Sequence, residues 1–218
     1  RHRPHIHPPG ATLFVTFRLA DSIPQATFRV YRARKDWLEA EEKRLRKLRL
    51  ADNSPELAAH EKSFLQFHRE WFKTFEDILD TVQCGPTWLK DASIAKIVAD
   101  ALHWRDGKVY RLDAYCIMSN HVHAVFAPYL SEESLRIKQA EGGLVYESDE
   151  PPLDVIMHSL KSWTANQANE SIGRSGSVWE HESDDGEFDR IVNYVLQNPV
   201  KAKLVRTWQE WPWSWKRA

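Results

Sequence analysis

The sequence has 218 residues, of which 42% are hydrophobic and 28% charged, a composition typical of a globular protein with its own core. Its 30 lysine and arginine residues balance 31 aspartate and glutamate residues. The near-zero net charge excludes a uniformly basic nucleic-acid-binding protein, although it permits a local basic groove. No apolar run is long enough to cross a bilayer, and the start of the chain does not have the pattern of a signal peptide, so we expect a cytoplasmic protein. Two isolated cysteines, Cys84 and Cys116, predict free thiols.

The first part of the chain predicts a strand followed by two long helices. Residues 12–19 are rich in β-branched and aromatic residues, which favours a strand. Residues 28–50 are charged and carry an apolar stripe at helical spacing, and a second helix is predicted over residues 56–79. Between them, Ser54 is the expected N-cap and Pro55 the first helical residue. The two helices therefore form a hairpin.

The rest of the chain predicts strands and helices in alternation. Ser93 is the expected cap of the first of these helices. In chain order, we predict a helix over 94–104, strands over 109–118 and 121–129, a polar loop over 130–152, a helix over 153–172, a short strand over 177–183, and a helix over 188–196 that ends before Pro199.

These elements predict an α+β fold of the ferredoxin-like type. In that sandwich an antiparallel sheet is covered by helices on one face. We expect one domain over residues 1–218, with the helical hairpin as an insertion at about residues 28–80.

His121 and His123 are the most informative residues for chemistry. They stand two positions apart on a predicted strand, so their side chains point to the same face. Two imidazoles on one face can bind a divalent cation, and additional oxygen ligands would favour Mg²⁺ or Mn²⁺. Such a pair can also arise by chance on an exposed polar face.

Motifs around and beyond this pair resemble a known family. The stretch A-Y-C-I-M-S-N-H-V-H-A-V-F at 114–126 resembles the His-hydrophobic-His (HUH) motif of the single-tyrosine transposases, in the branch associated with repetitive extragenic palindromes (REP). Most of the chain resembles this branch, apart from the helical hairpin and the loop near Gly142. The other matching segments are H-P-P-G-A-T-L-F-V-T-F-R-L at 7–19, G-P-T-W-L-K-D-A-S-I-A-K-I-V-A-D-A-L at 85–102, M-H-S-L-K-S-W-T-A at 157–165, G-R-S-G at 173–176, V-W-E-H-E-S at 178–183 and Y-V-L-Q-N-P-V-K-A-K-L-V at 194–205.

The resemblance implies an enzyme that binds single-stranded DNA folded into hairpins and acts in DNA transposition or recombination. In such enzymes a tyrosine attacks a backbone phosphate that is polarised by Mg²⁺ or Mn²⁺ on the histidine pair, which gives a 5′-phosphotyrosine and a free 3′-OH that can later rejoin strands. The protein would act as a monomer or a homodimer. Two alternatives stay open: a domesticated protein that binds DNA hairpins without cutting them, and a hydrolase that uses the same metal with a water nucleophile.

The expected nucleophile is missing from the sequence. The family places its tyrosine shortly after the segment that corresponds to residues 178–183, but here Ser183 is followed directly by Asp184 and no tyrosine. We favour a missing segment between Ser183 and Asp184 over true loss of the tyrosine. Tyr194 is interpreted as structural.

Several other residues are candidates for the site. Glu180, His181 or Glu182 could complete a metal shell. The lysines and arginines among the DNA-binding candidates could equally be solvated surface, and the tryptophans near the C-terminus, at 208, 211, 213 and 215, could stack on unpaired bases or pack in the core. The candidate DNA-binding residues are Asn120, Lys161, Arg174, Lys201 and Arg206.

Overall fold

A computed structural model describes residues 11–48, 54–129, 138–140, 143–145, 152–180, 184–186 and 191–217. It contains five α-helices and seven strands within those ranges. The helices are α1 (Gln25–Lys47), α2 (Pro55–Thr81), α3 (Ala92–Arg105), α4 (Pro152–Ser171) and α5 (Ile191–Lys201). The strands are β1 (Leu13–Arg18), β2 (Tyr110–Ile117), β3 (His121–Pro128), β4 (Lys138–Ala140), β5 (Gly143–Val145), β6 (Asp184–Gly186) and β7 (Ser214–Lys216). No helix of the described part has the length and apolar character to span a membrane.

Five strands form one antiparallel sheet in the order β6-β1-β3-β2-β7. Outside the hairpin, the chain order β1, α3, β2, β3, α4, β6 is the β-α-β-β-α-β succession of ferredoxin-like folds. The predicted fold class is therefore confirmed. The edge strand β7 extends this arrangement and was not predicted from the sequence.

The two faces of the sheet are covered by different helices. Val15 and Phe17 of β1 point with Val122 of β3 into an apolar core that also contains residues of α3 and α4. The alternate residues of the strands, such as Phe14, face the other way, where α5 packs against β2 and β3. The prediction of helices on one face thus holds for α3 and α4, whereas α5 lies on the opposite face and creates a second layer there.

Residues 21–86 form a separate compact unit, the hairpin of α1 and α2. Ser54 caps α2 as predicted, since its hydroxyl accepts a hydrogen bond from the Leu57 N–H at 3.3 Å. The helices share an apolar interior in which the rings of Tyr31 and Phe67 stack with centroids 5.5 Å apart. At the end of this unit Gly85 has φ +81°, and a Cβ there would lie 2.5 Å from the carbonyl oxygen of Asp21, so only glycine fits without a backbone shift.

Three local predictions differ from the structure. The cap of α3 is Asp91, whose carboxylate accepts from both the N–H and the hydroxyl of Ser93, so the predicted cap is instead a partner of the true one. The predicted loop at 130–152 contains the short antiparallel pair β4 and β5. In the predicted strand at 177–183, the described residues make only an isolated bridge between Trp179 and Leu19.

Helix α5 continues through Pro199, although the sequence predicted an end before it. Proline removes the N–H that would bond to the carbonyl four residues earlier, which is that of Val195. The side-chain amide of Asn198 donates to this carbonyl at 3.4 Å and to that of Tyr194 at 3.2 Å. A side-chain donor therefore replaces the missing backbone donor, and the helix runs on to Lys201.

Candidate metal and nucleic-acid site

His121 and His123 lie on β3 with their rings on the same face of the sheet, as the spacing predicted. Their Nε2 atoms are 3.0 Å apart, and the ring planes meet at 76°. Both rings therefore present a nitrogen to one common point. This separation is close enough for a single cation to bind both nitrogens.

Each imidazole also makes a hydrogen bond at Nδ1, the ring nitrogen that points away from the other histidine. Nδ1 of His121 lies 2.8 Å from Oδ1 of Asn120, and Nδ1 of His123 lies 2.8 Å from Oγ1 of Thr16 on β1. When each Nδ1–H donates to its oxygen partner, each Nε2 carries a lone pair that can bind a metal ion. This is the arrangement in which an outer hydrogen bond fixes the orientation and tautomer of a metal-binding histidine.

Both histidines are completely buried, with an exposed fraction of 0% each. Burial lowers the pKa of His121 to about 3. It also lowers the pKa of His123 well below the usual value, and the charges of His121 and Lys201 add to this effect. The pair is therefore neutral near pH 7, which is the state that binds metal ions. A phosphodiester can reach the pair only if part of its cover moves.

Helix α5 brings three residues to the side of the sheet that carries the pair. The ring of Tyr194 lies 6.2 Å from that of His123, and Phe14 packs edge-on against Tyr194 while it stacks on His123. Nζ of Lys201 lies 3.7 Å above the Tyr194 ring. Asn198 stands between these two residues on the same helical face, at spacings of four and three residues. It is fully buried, and its Oδ1 accepts no hydrogen bond from the described residues.

Comparisons with known proteins give one structural similarity. No family model and no curated protein matches the sequence. A solved structure, a REP-associated tyrosine transposase bound to a REP hairpin, is similar to this chain over 98% of its length and over 81% of that chain, with 12% sequence identity and a TM-score of 0.45. That structure is of the family whose motifs the sequence resembles.

The five candidate DNA-binding residues are scattered. Asn120 is fully buried, and its Oδ1 lies 2.8 Å from Nδ1 of His121. Lys161 is half-buried on α4, which covers the other face of the sheet. Arg174 is exposed and lies 4.1 Å above the Trp88 ring. Arg206 is exposed beyond α5, and of the four cations only Lys201 lies beside Tyr194.

The C-terminal tryptophans pack against the sheet. Trp211 donates from its indole N–H to the carbonyl of Ile117 at 2.9 Å, and Trp215 stacks on Tyr115 with ring centroids 6.0 Å apart. Trp213 packs against the apolar core. Of the two roles left open, the structure supports core packing for Trp213 and Trp215, whereas Trp211 is joined to the sheet by its hydrogen bond.

The sequence runs directly from Ser183 to Asp184, and a missing segment between them stays a prediction. Tyr194, which the sequence predicted to be structural, has its ring 6.2 Å from that of His123. The sequence contained a signal for it: Tyr194 and Asn198 stand four residues apart, which places them on one face of the helix. The structure pairs Glu180 with Arg18, and His181 and Glu182 lie outside the described residues.

Proposed function

We propose that this protein is a metal-dependent enzyme that cleaves and rejoins single-stranded hairpin DNA, with His121 and His123 as metal ligands and Tyr194 as the nucleophile. The motifs along the chain support the reaction class. The observation that carries the proposal is the pair of Nε2 atoms 3.0 Å apart, with the Tyr194 ring next to them.

The residues fit a divalent cation. The two Nε2 atoms lie 3.0 Å apart, so His121 and His123 would both hold one divalent cation. Asn198 adds a buried amide oxygen that accepts no hydrogen bond in the described part of the chain, on the helical face turned toward the pair. Imidazoles alone suit several first-row metals, and the amide oxygen shifts the preference toward Mn²⁺ or Mg²⁺.

A bound metal ion would withdraw electron density from the scissile phosphate and stabilise the charge that develops there. The phenolic oxygen of Tyr194 then forms a bond to phosphorus while the bond from phosphorus to the 3′ oxygen breaks. The phenolic proton is released, and the 3′ oxygen leaves as a hydroxyl after taking up a proton. The phosphotyrosine keeps the energy of the broken bond, so a DNA 3′-OH can reverse the step and rejoin strands.

The helix constrains the nucleophile. The ring of Tyr194 is packed edge-on against Phe14 on one side and lies under Nζ of Lys201 on another. A tyrosine held in this way loses little freedom when the phosphate arrives, which lowers the entropic part of the barrier. Since both histidines are buried, access of DNA requires an opening motion, and this motion is expected to limit the rate.

The decisive experiment is capture of the covalent intermediate. The complete chain is incubated with Mn²⁺ and a pool of end-labelled single-stranded oligonucleotides that share a stem and have randomised loops and flanks. We expect a labelled protein adduct that survives denaturing electrophoresis and is absent with EDTA. The adduct should be absent in Tyr194→Phe and in the double variant His121→Ala with His123→Ala.

The matched control is Tyr129→Phe, because Tyr129 is 50% exposed and lies at the end of β3. This variant should form the adduct at the wild-type rate. Hairpin binding by the wild type without any adduct would refute the enzyme and establish the binding protein instead. An adduct that persists in Tyr194→Phe would assign the nucleophile to another residue.

A further inference from the structure

Arg18 is a buried cation on the same face of the sheet as the histidine pair. It is the last residue of β1, and only 4% of its surface is exposed. In the antiparallel register with β3, Arg18 stands directly opposite His121, as Thr16 stands opposite His123. Directly opposed residues have neighbouring Cβ atoms, so the Arg18 side chain starts beside that of His121 on this face of the sheet.

The side chain of Arg18 is held by Glu180. Its Nη1 donates to Oε2 of Glu180 at 3.2 Å, and the backbone N–H of Glu180 donates to the Arg18 carbonyl at 2.9 Å. The guanidinium side chain is 5% exposed and the carboxylate side chain 29%. The arginine of this ion pair is therefore buried, and the carboxylate of Glu180 is the end nearer to the solvent.

A buried guanidinium is poorly explained by stability alone. The cost of removing its charge from water can equal or exceed the attraction of a partly exposed carboxylate. A cation beside a site that handles phosphodiesters has a clear chemical use, because a guanidinium donates two parallel hydrogen bonds to phosphate oxygens.

We propose that Arg18 is a catalytic residue that binds a non-bridging oxygen of the scissile phosphate, and that Glu180 occupies the guanidinium until the DNA arrives. This inference rests on the proposed function. The phosphate oxygen takes the place of the Glu180 carboxylate, which turns outward into water. Arg18 then stabilises the extra negative charge on the phosphoryl oxygens as the phenolic oxygen attacks.

The test combines a variant with a modified substrate. A methylphosphonate at the scissile position replaces one charged oxygen by a methyl group and so removes the acceptor for Arg18. Wild-type adduct formation should slow at least 100-fold on this substrate. Arg18→Ala should slow by a similar factor on normal DNA, with little further loss on the methylphosphonate. Such non-additivity shows that the arginine and the oxygen act on each other.

Further measurements separate a chemical role from a structural one. Guanidinium ion added to Arg18→Ala should restore the rate at least tenfold, and Mn²⁺ affinity should stay within threefold of the wild type. Glu180→Gln, which removes the competing charge, should bind the oligonucleotide pool several-fold more tightly. Arg111→Ala is the matched control, since Arg111 is half-exposed and paired with Asp113, and it should behave as wild type.

The two proposals fail in distinguishable ways. No wild-type adduct refutes the proposed function. The role of Arg18 alone is refuted if the wild type forms the adduct and Arg18→Ala cleaves at the normal rate. It is also refuted if the fold losses in rate from the variant and from the methylphosphonate simply multiply. If Arg18→Ala does not fold, Arg18→Lys is used instead, because it keeps the charge but not the paired hydrogen-bond donors. Slower adduct formation by Arg18→Lys on normal DNA, with no further slowing on methylphosphonate DNA, supports the role of Arg18. Any other outcome refutes it.

Discussion

Acidification should destabilise the metal-free protein through the histidine pair. Both rings are buried, and burial lowers the pKa of His121 to about 3 and that of His123 well below the usual 6.5. As pH falls below about 6.5, His121 and His123 each bind a proton in the unfolded chain but stay neutral in the folded chain. Because the folded pKa values lie below the unfolded ones, stability is complete above that pH and decreases below it.

The magnitude follows from the pKa difference. At about pH 5, each histidine lies roughly 1.5 units below its unfolded pKa, and each unit corresponds to about 1.36 kcal/mol. Each ring therefore costs about 2 kcal/mol, and the pair costs about 4 kcal/mol. This is a large part of the 5–15 kcal/mol that stabilises a typical domain.

Urea unfolding in EDTA at about pH 7 and about pH 5 measures this loss. The double variant His121→Gln with His123→Gln should lose about 4 kcal/mol less than the wild type over the same interval. Each single variant should recover about half of that difference. An equal acid loss in the wild type and the double variant would show that the rings are protonated in the folded protein, and the reasoning from burial would be wrong.

Three further outcomes are expected. Thr16→Val removes the partner of His123 Nδ1 and should weaken Mn²⁺ binding about 10–100-fold in isothermal titration; Thr16→Ser should retain it. Asn198→Leu removes the buried amide oxygen and should weaken Mn²⁺ binding about tenfold, so unchanged affinity would exclude it as a ligand. Gly85→Ala should cost more than about 2 kcal/mol in urea unfolding, because its Cβ meets the backbone of Asp21, whereas Gly107→Ala, with φ +77° and nothing within 4 Å, should cost only about 1 kcal/mol.

Elements with long, regular patterns could be predicted from the sequence. The apolar alternation of residues 12–19 and the helical stripe of residues 28–50 lie within a few residues of β1 and α1. The strand spacing of His121 and His123 was sufficient to place both rings on one face. In contrast, β6 and β7 have three residues each, too few for a periodic signal, and they form through pairing with distant strands.

The residues next to the histidines could not be predicted, because tertiary packing brings them there. Tyr194 lies far along the chain from His123 and reaches it only because α5 covers the face of the sheet opposite α3 and α4. The contact between Thr16 and His123 likewise depends on the register between β1 and β3. The sequence also did not predict that Oδ1 of Asn120 lies 2.8 Å from Nδ1 of His121.

The proline within α5 has a consequence for the orientation of its neighbour. Since the Asn198 amide nitrogen is occupied by the carbonyls of Tyr194 and Val195, a half-turn of that amide would set oxygen against oxygen. Pro199 thereby favours one of the two orientations of the Asn198 amide, the one in which the oxygen points away from the two carbonyls. The apolar Pro199 thus determines the direction of Oδ1 of Asn198, the residue that precedes it. Replacing Pro199 with alanine would return a backbone donor to Val195, so that only the carbonyl of Tyr194 would still orient the amide.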